Sequence, residues 1–244
     1  GDPACARQPQ LTREVNLDAS LQLWELSQRH GVKRLVFAST CSNYGRTDDQ
    51  SEYVNEESEL RPLSLYAETK VAVEKILLGP SHSDSLSATV LRFATLFGLS
   101  PRMRFDLTVN EFTLDLLEKS ELEIYGEQHW RPYIHVADAA RAIVRVLDAP
   151  EEKVGGQVFN VGDTSQNFQK GQLAELIKTN IGDTASIEHV ERDEDPRDYR
   201  VSFEKIYREL GFQITRTADD GIKEIIDAIN QGVIVDCDDP IYSN

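Results

Sequence analysis

The order of apolar and polar segments predicts an α/β fold built on a parallel sheet. A helical repeat of apolar residues over 10–28 precedes a short apolar strand over 34–38. A second helical segment over 65–78 precedes a second apolar strand over 88–93. Because parallel strands are joined by long, usually helical crossovers, this alternation predicts βαβ units and a parallel sheet that is buried on both faces.

Residues that interrupt the periodic segments set the boundaries of the predicted elements. The first helix ends at Gly31, and the first strand, with the sequence RLVFA, ends in Ser39 and Thr40. Gly79 and Pro80 end the second helix, because proline cannot continue a helical hydrogen-bond ladder. The later segments are predicted as helices over 107–117, 136–147, 173–179 and 222–229, strands over 123–125 and 157–161, and an acidic tail over 236–244.

Charge and cysteine content exclude several classes of protein. The 244 residues include 26 Lys and Arg against 42 Asp and Glu, a net charge of −16. We therefore expect no nucleic-acid partner, because nucleic-acid affinity depends on a basic surface. No apolar run reaches about 18 residues, so we expect no membrane partner. The three cysteines form no disulfide framework, which predicts a cytoplasmic protein, and His and Cys lack the spacing of a metal site.

A tyrosine and a lysine four residues apart form a candidate catalytic pair. Tyr66 and Lys70 lie one turn apart on one face of the second predicted helix. An ammonium group near a phenol stabilises the phenolate and lowers the tyrosine pKa from about 10 towards neutral, which would make Tyr66 a general base. Such pairs also occur often on solvent-exposed helix faces, where they have no catalytic role. The strand that ends in Ser39 and Thr40 favours catalysis, because open parallel sheets bind ligands at the carboxyl ends of strands.

Five groups of short segments occur in a specific order along the chain. They are FASTCSNYG (37–45) with PLSLYAETK (62–70), LRFATLFG (91–98), RPYIHVAD (131–138), VFNVG (158–162) and LGF (210–212). In this order they resemble the extended short-chain dehydrogenase/reductase family, and most closely its nucleotide-sugar epimerases and dehydratases. The resemblance implies a Rossmann-like parallel sheet with a smaller C-terminal substrate-binding lobe. It also implies NAD or NADP as cofactor and a nucleoside-diphosphate sugar as substrate.

The resemblance assigns roles to individual residues. Tyr66 would be the catalytic base, and Lys70 its electrostatic partner, which also bonds the nicotinamide ribose. Thr40 would hydrogen-bond the reacting hydroxyl of the sugar. Asn16 matches an asparagine close to the cofactor. Thr95 stands where the family has a substrate-binding asparagine, so the contacts there are expected to differ.

Two arginines, Arg131 and Arg192, match those that hold the substrate pyrophosphate in the family. The planar guanidinium suits this role because it bonds phosphate oxygens bidentately. His135 lies between apolar neighbours and is interpreted as structural. Cys41 and Ser42 stand where the sugar 4,6-dehydratases of the family carry the Asp and Glu that eliminate water. Because neither side chain replaces a carboxyl group, this departure disfavours a dehydratase.

The resemblance also implies a domain division. Residues 1–98, rejoined by about 131–162, would be the remaining part of the dinucleotide-binding domain, and 99–130 with 163–235 the substrate-binding lobe. The Gly-x-x-Gly-x-x-Gly loop that grips the cofactor is absent from the 244 residues, as are roughly the first 70 residues of a family member. We predict NAD-dependent epimerisation through a transient keto sugar by a homodimer when complete, with this chain inactive by itself. The alternatives are a nucleotide-sugar reductase or dehydrogenase, and a nucleotide-sugar-binding pseudoenzyme.

Overall fold

The computed structural model describes residues 1–49, 51–79, 86–182, 185–190 and 197–242. The α-helices in these ranges are α1 (Asp2–Arg7), α2 (Pro9–Thr12), α3 (Ala19–Arg29), α4 (Leu65–Leu77), α5 (Thr108–Lys119), α6 (Val136–Asp148), α7 (Glu151–Val154), α8 (Lys170–Ile181), α9 (Glu204–Leu210) and α10 (Ala218–Asn230). The strands are β1 (Arg34–Thr40), β2 (Tyr53–Val54), β3 (Ser87–Phe93), β4 (Thr95–Phe97), β5 (Glu121–Tyr125), β6 (Trp130–His135), β7 (Val158–Val161), β8 (Asn167–Gln169), β9 (Ser186–Val190) and β10 (Arg200–Val201). Every predicted helix and strand is present, with ends shifted by a few residues.

The predicted parallel sheet is confirmed as three strands in the order β1-β3-β7. Both pairings are parallel, and Thr40, Phe93 and Val161 lie opposite one another at the carboxyl ends. Six of the seven residues of β3 are buried, as expected for a central strand that is covered on both faces. The carboxyl ends of the strands therefore form one edge, where a ligand site is expected.

Smaller groups of strands build the rest of the described chain. β4 runs parallel to β6, β6 pairs antiparallel with β8, and β5 pairs in parallel with β9. β2 pairs in parallel with β10. The turn after β4 requires Gly98, whose φ is +101° and where a Cβ atom would lie 2.2 Å from Nε2 of His135. Glycine alone accepts both the left-handed backbone and this close approach.

Apolar clusters cover both faces of the parallel sheet. Val90 and Leu91 are neighbours on β3, and successive residues of a strand point to opposite faces. Val90 belongs to a cluster with Trp24 of α3, whereas Leu91 belongs to a cluster with Ala142 of α6. The second cluster also contains Leu210 of α9, although residues 163–235 are predicted to lie in the substrate-binding lobe. Thus α9 packs against the sheet, and the division of the chain into two domains stays a prediction.

The acidic tail predicted over 236–244 packs, as far as residue 242, against the segment that contains Met103 and Phe105. The carbonyl of Tyr242 accepts a hydrogen bond from the backbone N–H of Phe105 at 2.9 Å, and the two rings meet edge to face with centroids 5.8 Å apart. Cys237 and Tyr242 also pack against the buried cluster that contains Met103 and Phe105. The tail thereby supports the segment 99–107, which reaches the candidate site.

Candidate active site

A cavity of about 380 Å³ opens at the carboxyl ends of β1 and β3. Thr40 at the end of β1 and Thr95 just beyond β3 line it, together with Tyr66 and Lys70 from α4. Arg131 of β6 lines the same space. Five of the seven site residues predicted from the sequence are thus brought together around one cavity.

The position of the tyrosine–lysine pair follows from the way α4 begins. The hydroxyl of Ser64 accepts a hydrogen bond from the backbone N–H of Ala67 at 3.2 Å, so Ser64 caps the helix two residues before Tyr66. The Tyr66 side chain is hydrogen-bonded to the Thr40 side chain. Lys70 donates from Nζ to the carbonyl oxygen of Ala38 at 2.9 Å, and its Nζ lies 5.9 Å from the centroid of the Tyr66 ring.

The electrostatic state of Tyr66 differs from the expectation. Burial, followed by the negative charge of Asp2, raises the pKa of Tyr66 to about 12, although the hydrogen bond with Thr40 and the charge of Arg104 oppose the rise. The expected lowering of this pKa by Lys70 is therefore wrong for this structure. Lys70 donates its hydrogen bond to the carbonyl of Ala38 and not to Tyr66. Burial disfavours the charged form of Lys70 too, and for this basic group it lowers the pKa.

A buried carboxylate on the same helix face anchors α4 to the sheet. Glu74 lies one turn beyond Lys70 and accepts a hydrogen bond from the hydroxyl of Ser39, the residue before Thr40. Its carboxylate also accepts from Nδ2 of Asn43 at 2.8 Å and from Nη2 of Arg92 on β3 at 2.7 Å. One side chain therefore fixes α4 against the ends of both β1 and β3.

The cavity wall is cationic although the chain as a whole is acidic. Five cationic side chains line it: Lys70, Arg104, Arg131, Lys170 and Arg197. Only two carboxylates, Asp2 and Asp106, are among the described residues that line the same space. The lining thus carries an excess of three positive charges in a protein of net charge −16. Such a cluster suits an anionic ligand.

The arginines are held in different ways. Arg131 is 5% exposed, donates from Nη1 to the Trp130 carbonyl at 2.6 Å, and lies 5.3 Å from the centroid of the Tyr199 ring. The predicted pyrophosphate ligand Arg192 lies outside the described residues. Arg197, five positions further along, is described and lines the cavity with its guanidinium against Asp2.

Asn16 and His135 have protein partners away from the cavity. Asn16 lies in the π-helical segment Arg13–Asp18 and donates to the sulfur of Cys5 at 3.6 Å, and it is not among the described residues that line the cavity. His135 accepts from the Ala137 N–H through Nδ1 at 3.2 Å, while its Nε2 lies 2.7 Å from a carboxylate oxygen of Glu224. Both ring nitrogens of His135 are engaged, which agrees with a structural role.

Two further findings concern metal sites and membrane-spanning helices in the described residues. In the part of the chain that the structure describes, no group of three or more His, Cys, Asp or Glu side chains is arranged to hold a metal ion. Among the described helices, none is both long and apolar enough to cross a membrane.

Sequence reasoning missed several residues of the cavity. Asp2, Arg104, Lys170 and Arg197 come from four separated parts of the chain, and no local pattern joins them. Arg197 had one usable signal, because it lies in the same polar run, RDEDPRDYR, as the predicted Arg192. The others become visible only when the chain is folded.

The parallel sheet, with a tyrosine–lysine helix at its carboxyl edge and a cationic cavity beside it, defines an extended short-chain dehydrogenase/reductase with a Rossmann-type fold. The chain belongs to the NAD dependent epimerase/dehydratase family, whose model matches residues 1–162.

Curated relatives support this assignment. The chain is 32% identical over 148 residues to an uncharacterised UDP-glucose epimerase, YtcB of Bacillus subtilis, and the match covers 60% of this chain and 45% of YtcB. It is 29% identical over 192 residues to a UDP-glucuronate 4-epimerase of Thermodesulfobacterium geofontis, covering 78% of this chain and 57% of that protein. The chain thus spans about half the length of these relatives.

Solved structures of two similar proteins superpose closely. A UDP-glucose 4-epimerase from Thermotoga maritima, solved with UDP-glucose, has a TM-score of 0.83 and 25% identity, and the match covers 95% of this chain and 74% of that one. MoeE5 in complex with UDP-glucuronic acid and NAD has a TM-score of 0.81 and 27% identity, covering 95% of this chain and 76% of that one.

Proposed function

We propose that the protein epimerises a nucleoside-diphosphate sugar, with NAD as redox cofactor and a keto sugar as transient intermediate. The observation that carries this proposal is the composition of one cavity. Thr40, Tyr66 and Lys70 line the same space of about 380 Å³ as a wall of cationic side chains. The hydroxyl, phenol and ammonium groups suit the oxidation of an alcohol, and the cations suit a diphosphate.

In this proposal the side chains of the cavity handle the proton of the reacting hydroxyl. Thr40 hydrogen-bonds the sugar hydroxyl and orients it towards the phenol oxygen of Tyr66, which takes the proton. Bound NAD would accept the hydride from the same carbon and later return it. The planar keto sugar then rotates in the site, so that the opposite face of its carbonyl carbon is reduced. Tyr66 returns the proton to the carbonyl oxygen, so that protons and electrons balance.

The raised pKa of Tyr66 favours the reduction step, in which this residue donates a proton, over the oxidation step, in which it accepts one. A phenol with a pKa of about 12 is protonated at neutral pH, so Tyr66 is poised to donate a proton to a keto oxygen. Its action as a base requires the phenolate to be stabilised. The Lys70 ammonium, 5.9 Å from the Tyr66 ring centroid, is the group on the same helix that can do this.

We infer that the cavity binds the nicotinamide half of the dinucleotide. The ammonium group of Lys70 and the hydroxyls of Thr40 and Tyr66 offer donors and acceptors to a ribose and a carboxamide. The glycine loop that would hold the cofactor phosphates is not part of these 244 residues. The proposal of NAD is further supported by the complex of MoeE5, which contains it.

Epimerisation is favoured over dehydration by the residues after Thr40. Cys41 is 1% exposed, and its thiol donates to the backbone carbonyl of Arg92 at 3.2 Å. Burial raises the pKa of Cys41 well above its ordinary value, so the thiol does not ionise near neutral pH. Ser42 lines the cavity but carries no carboxyl group. A pair of acid and base for the elimination of water is therefore lacking at these two positions.

We also infer that the complete protein is a homodimer. Four apolar side chains along the run from α2 to α3, spaced by four, eight and three residues, are 40–60% exposed: Leu11, Val15, Leu23 and Leu26. Clustered exposed apolar residues commonly mark an interface. Leu23→Asp should convert a dimer into a monomer on light scattering. Val144→Asp, an equally exposed apolar position on α6, should not, and a monomeric wild type would refute the inference.

The function is tested with the full-length protein, UDP-glucose, UDP-glucuronate or dTDP-glucose, and NAD. We expect a product of unchanged mass with one inverted carbon, seen by NMR. Tyr66→Phe should lower turnover by a factor of about 10² to 10⁴ with little change in substrate affinity. Tyr207→Phe, which alters a 51% exposed tyrosine, should retain turnover.

Other products would contradict the proposal in distinct ways. Loss of water to give a 4-keto-6-deoxy sugar would identify a dehydratase. A reduced or oxidised sugar formed in step with consumption of the cofactor would identify a reductase or dehydrogenase. Binding without any turnover would identify a binding protein.

A further inference from the structure

One carboxylate connects the N-terminus of α4 with a cation that lines the same cavity. Oδ1 of Asp2 accepts a hydrogen bond from the hydroxyl of Ser64, the residue that caps α4, at 2.5 Å. Oδ2 of Asp2 forms an ion pair with Nη1 of Arg197. The two charged side chains are 22% and 24% exposed, so the pair is only partly screened by solvent.

We propose that Asp2 is a positioning residue that occupies Arg197 in the ligand-free site and yields this guanidinium to a phosphate group of the substrate. The inference rests on the proposed function, because it takes the ligand to be a diphosphate. Carboxylate and phosphate oxygens bind the same face of a guanidinium, and phosphate carries the larger charge. Asp2 then keeps its bond to Ser64 and the catalytic helix.

The first consequence concerns affinity. A diphosphate that binds Arg197 must displace the charge of Asp2 or share the guanidinium with it. Asn at position 2 has nearly the same shape and retains an oxygen for Ser64, but it competes for Arg197 without a charge. Asp2→Asn should therefore tighten diphosphate binding by roughly twofold to fivefold, the scale of an ion pair that is partly exposed to solvent.

The second consequence concerns the tyrosine. Asp2 lines the same cavity as Tyr66 and disfavours its phenolate, so removal of this charge should lower the pKa of Tyr66. The pH at which the phenolate-dependent activity reaches half of its maximum should then be lower in Asp2→Asn than in the wild type. The groups that face Tyr66 from the elements packed around it are Asp2, Cys5, Thr40, Lys70 and Arg104.

The experiment is a double-mutant cycle in the full-length protein, read by calorimetry with UDP and with inorganic pyrophosphate. The variants are Asp2→Asn, Arg197→Gln and the combination of both. Ser64→Ala serves as a matched control, because it removes the other partner of Asp2 and leaves the charge on Arg197. We expect Asp2→Asn to tighten binding of both probes by roughly twofold to fivefold in the wild-type background and by clearly less beside Arg197→Gln. Ser64→Ala should bring no gain.

The outcomes separate this proposal from the proposed function. An unchanged or weaker affinity in Asp2→Asn, or an equal gain with and without Arg197, overturns the role of Asp2 even if the wild type binds UDP. Pyrophosphate binding without UDP binding contradicts the nucleotide substrate, and the cycle with pyrophosphate still decides about Asp2. Failure to bind either probe contradicts both. For an active enzyme, the pH–rate profile of Asp2→Asn should shift to lower pH, which a purely structural role would not cause.

Discussion

Replacement of Glu74 by leucine should remove the anchor of the catalytic helix and leave a buried cation without its partner. The side chains of Glu74 and Arg92 are 2% and 5% exposed and are joined at 2.7 Å. Loss of one partner of such a pair costs about 3–5 kcal/mol of unfolding free energy, because the remaining charge stays desolvated. Since 1 kcal/mol lowers the melting temperature of a domain of this size by about 2–4 °C, Glu74→Leu should melt roughly 6–20 °C lower.

Two matched variants test whether the loss of stability comes from an unpaired buried charge. Glu25→Leu breaks an exposed ion pair with Arg29, in which the side chains are 65% and 72% exposed, and should cost less than about 1 kcal/mol. The double variant Glu74→Leu with Arg92→Met removes both charges and should recover more than half of the loss, because an apolar pair often replaces a buried ion pair without penalty. Differential scanning calorimetry of the four proteins tests the argument. A melting temperature of Glu74→Leu within 2–4 °C of the wild type would refute it.

Two further predictions follow from the charges of the cavity and from buried groups that ionise at high pH. Arg131→Ala and Arg197→Ala should each weaken UDP binding by about 1.5–3 kcal/mol and leave uridine binding unchanged. The control variant Arg29→Ala should alter neither affinity. Equal losses for UDP and uridine would mean that Arg131 and Arg197 support only the fold. The melting temperature should fall as the pH rises from about 9 towards 12. Burial raises the pKa of Cys41 well above its ordinary value and that of Tyr66 to about 12, so these groups stabilise the fold while protonated and lose this contribution once the unfolded chain can ionise. Cys41→Ser and Tyr66→Phe should each flatten this alkaline loss, and an unchanged slope in both would contradict the assignment.

The parts of the fold and site that could be predicted from the sequence are those with a local cause. The strand over 34–40 and the helix over 65–77 each carry their periodicity within a short window, and the spacing of Tyr66 and Lys70 is a property of one helix. The strand end at Thr40 then places this helix at the ligand edge of a parallel sheet. Family resemblance added Thr95 and Arg131, which lie in segments of their own, and both line the cavity.

The remaining features depend on burial and on contacts between distant segments. The pKa of Tyr66 was predicted to fall because only Lys70 is visible in the local sequence, whereas burial and Asp2 dominate in the fold. The ion pair of Asp2 and Arg197 joins positions 195 residues apart, which no spacing rule can find. Asn16 stays a predicted cofactor ligand that contacts Cys5, and the inactivity of the 244 residues alone also stays a prediction.

The acidic character of the chain does not oppose the binding of an anionic sugar nucleotide. At physiological ionic strength charges separated by more than about 8 Å of solvent are largely screened, so negative groups spread over the surface contribute little inside a cavity. The five cations that line the cavity act at contact distance and outnumber the two carboxylates there. One of these carboxylates, Asp106, already pairs with Arg104 at 2.7 Å, and the other pairs with Arg197. If the ligand is a diphosphate, as proposed, it competes with these two carboxylates for their arginines, and the net charge of the surface affects mainly the rate of encounter.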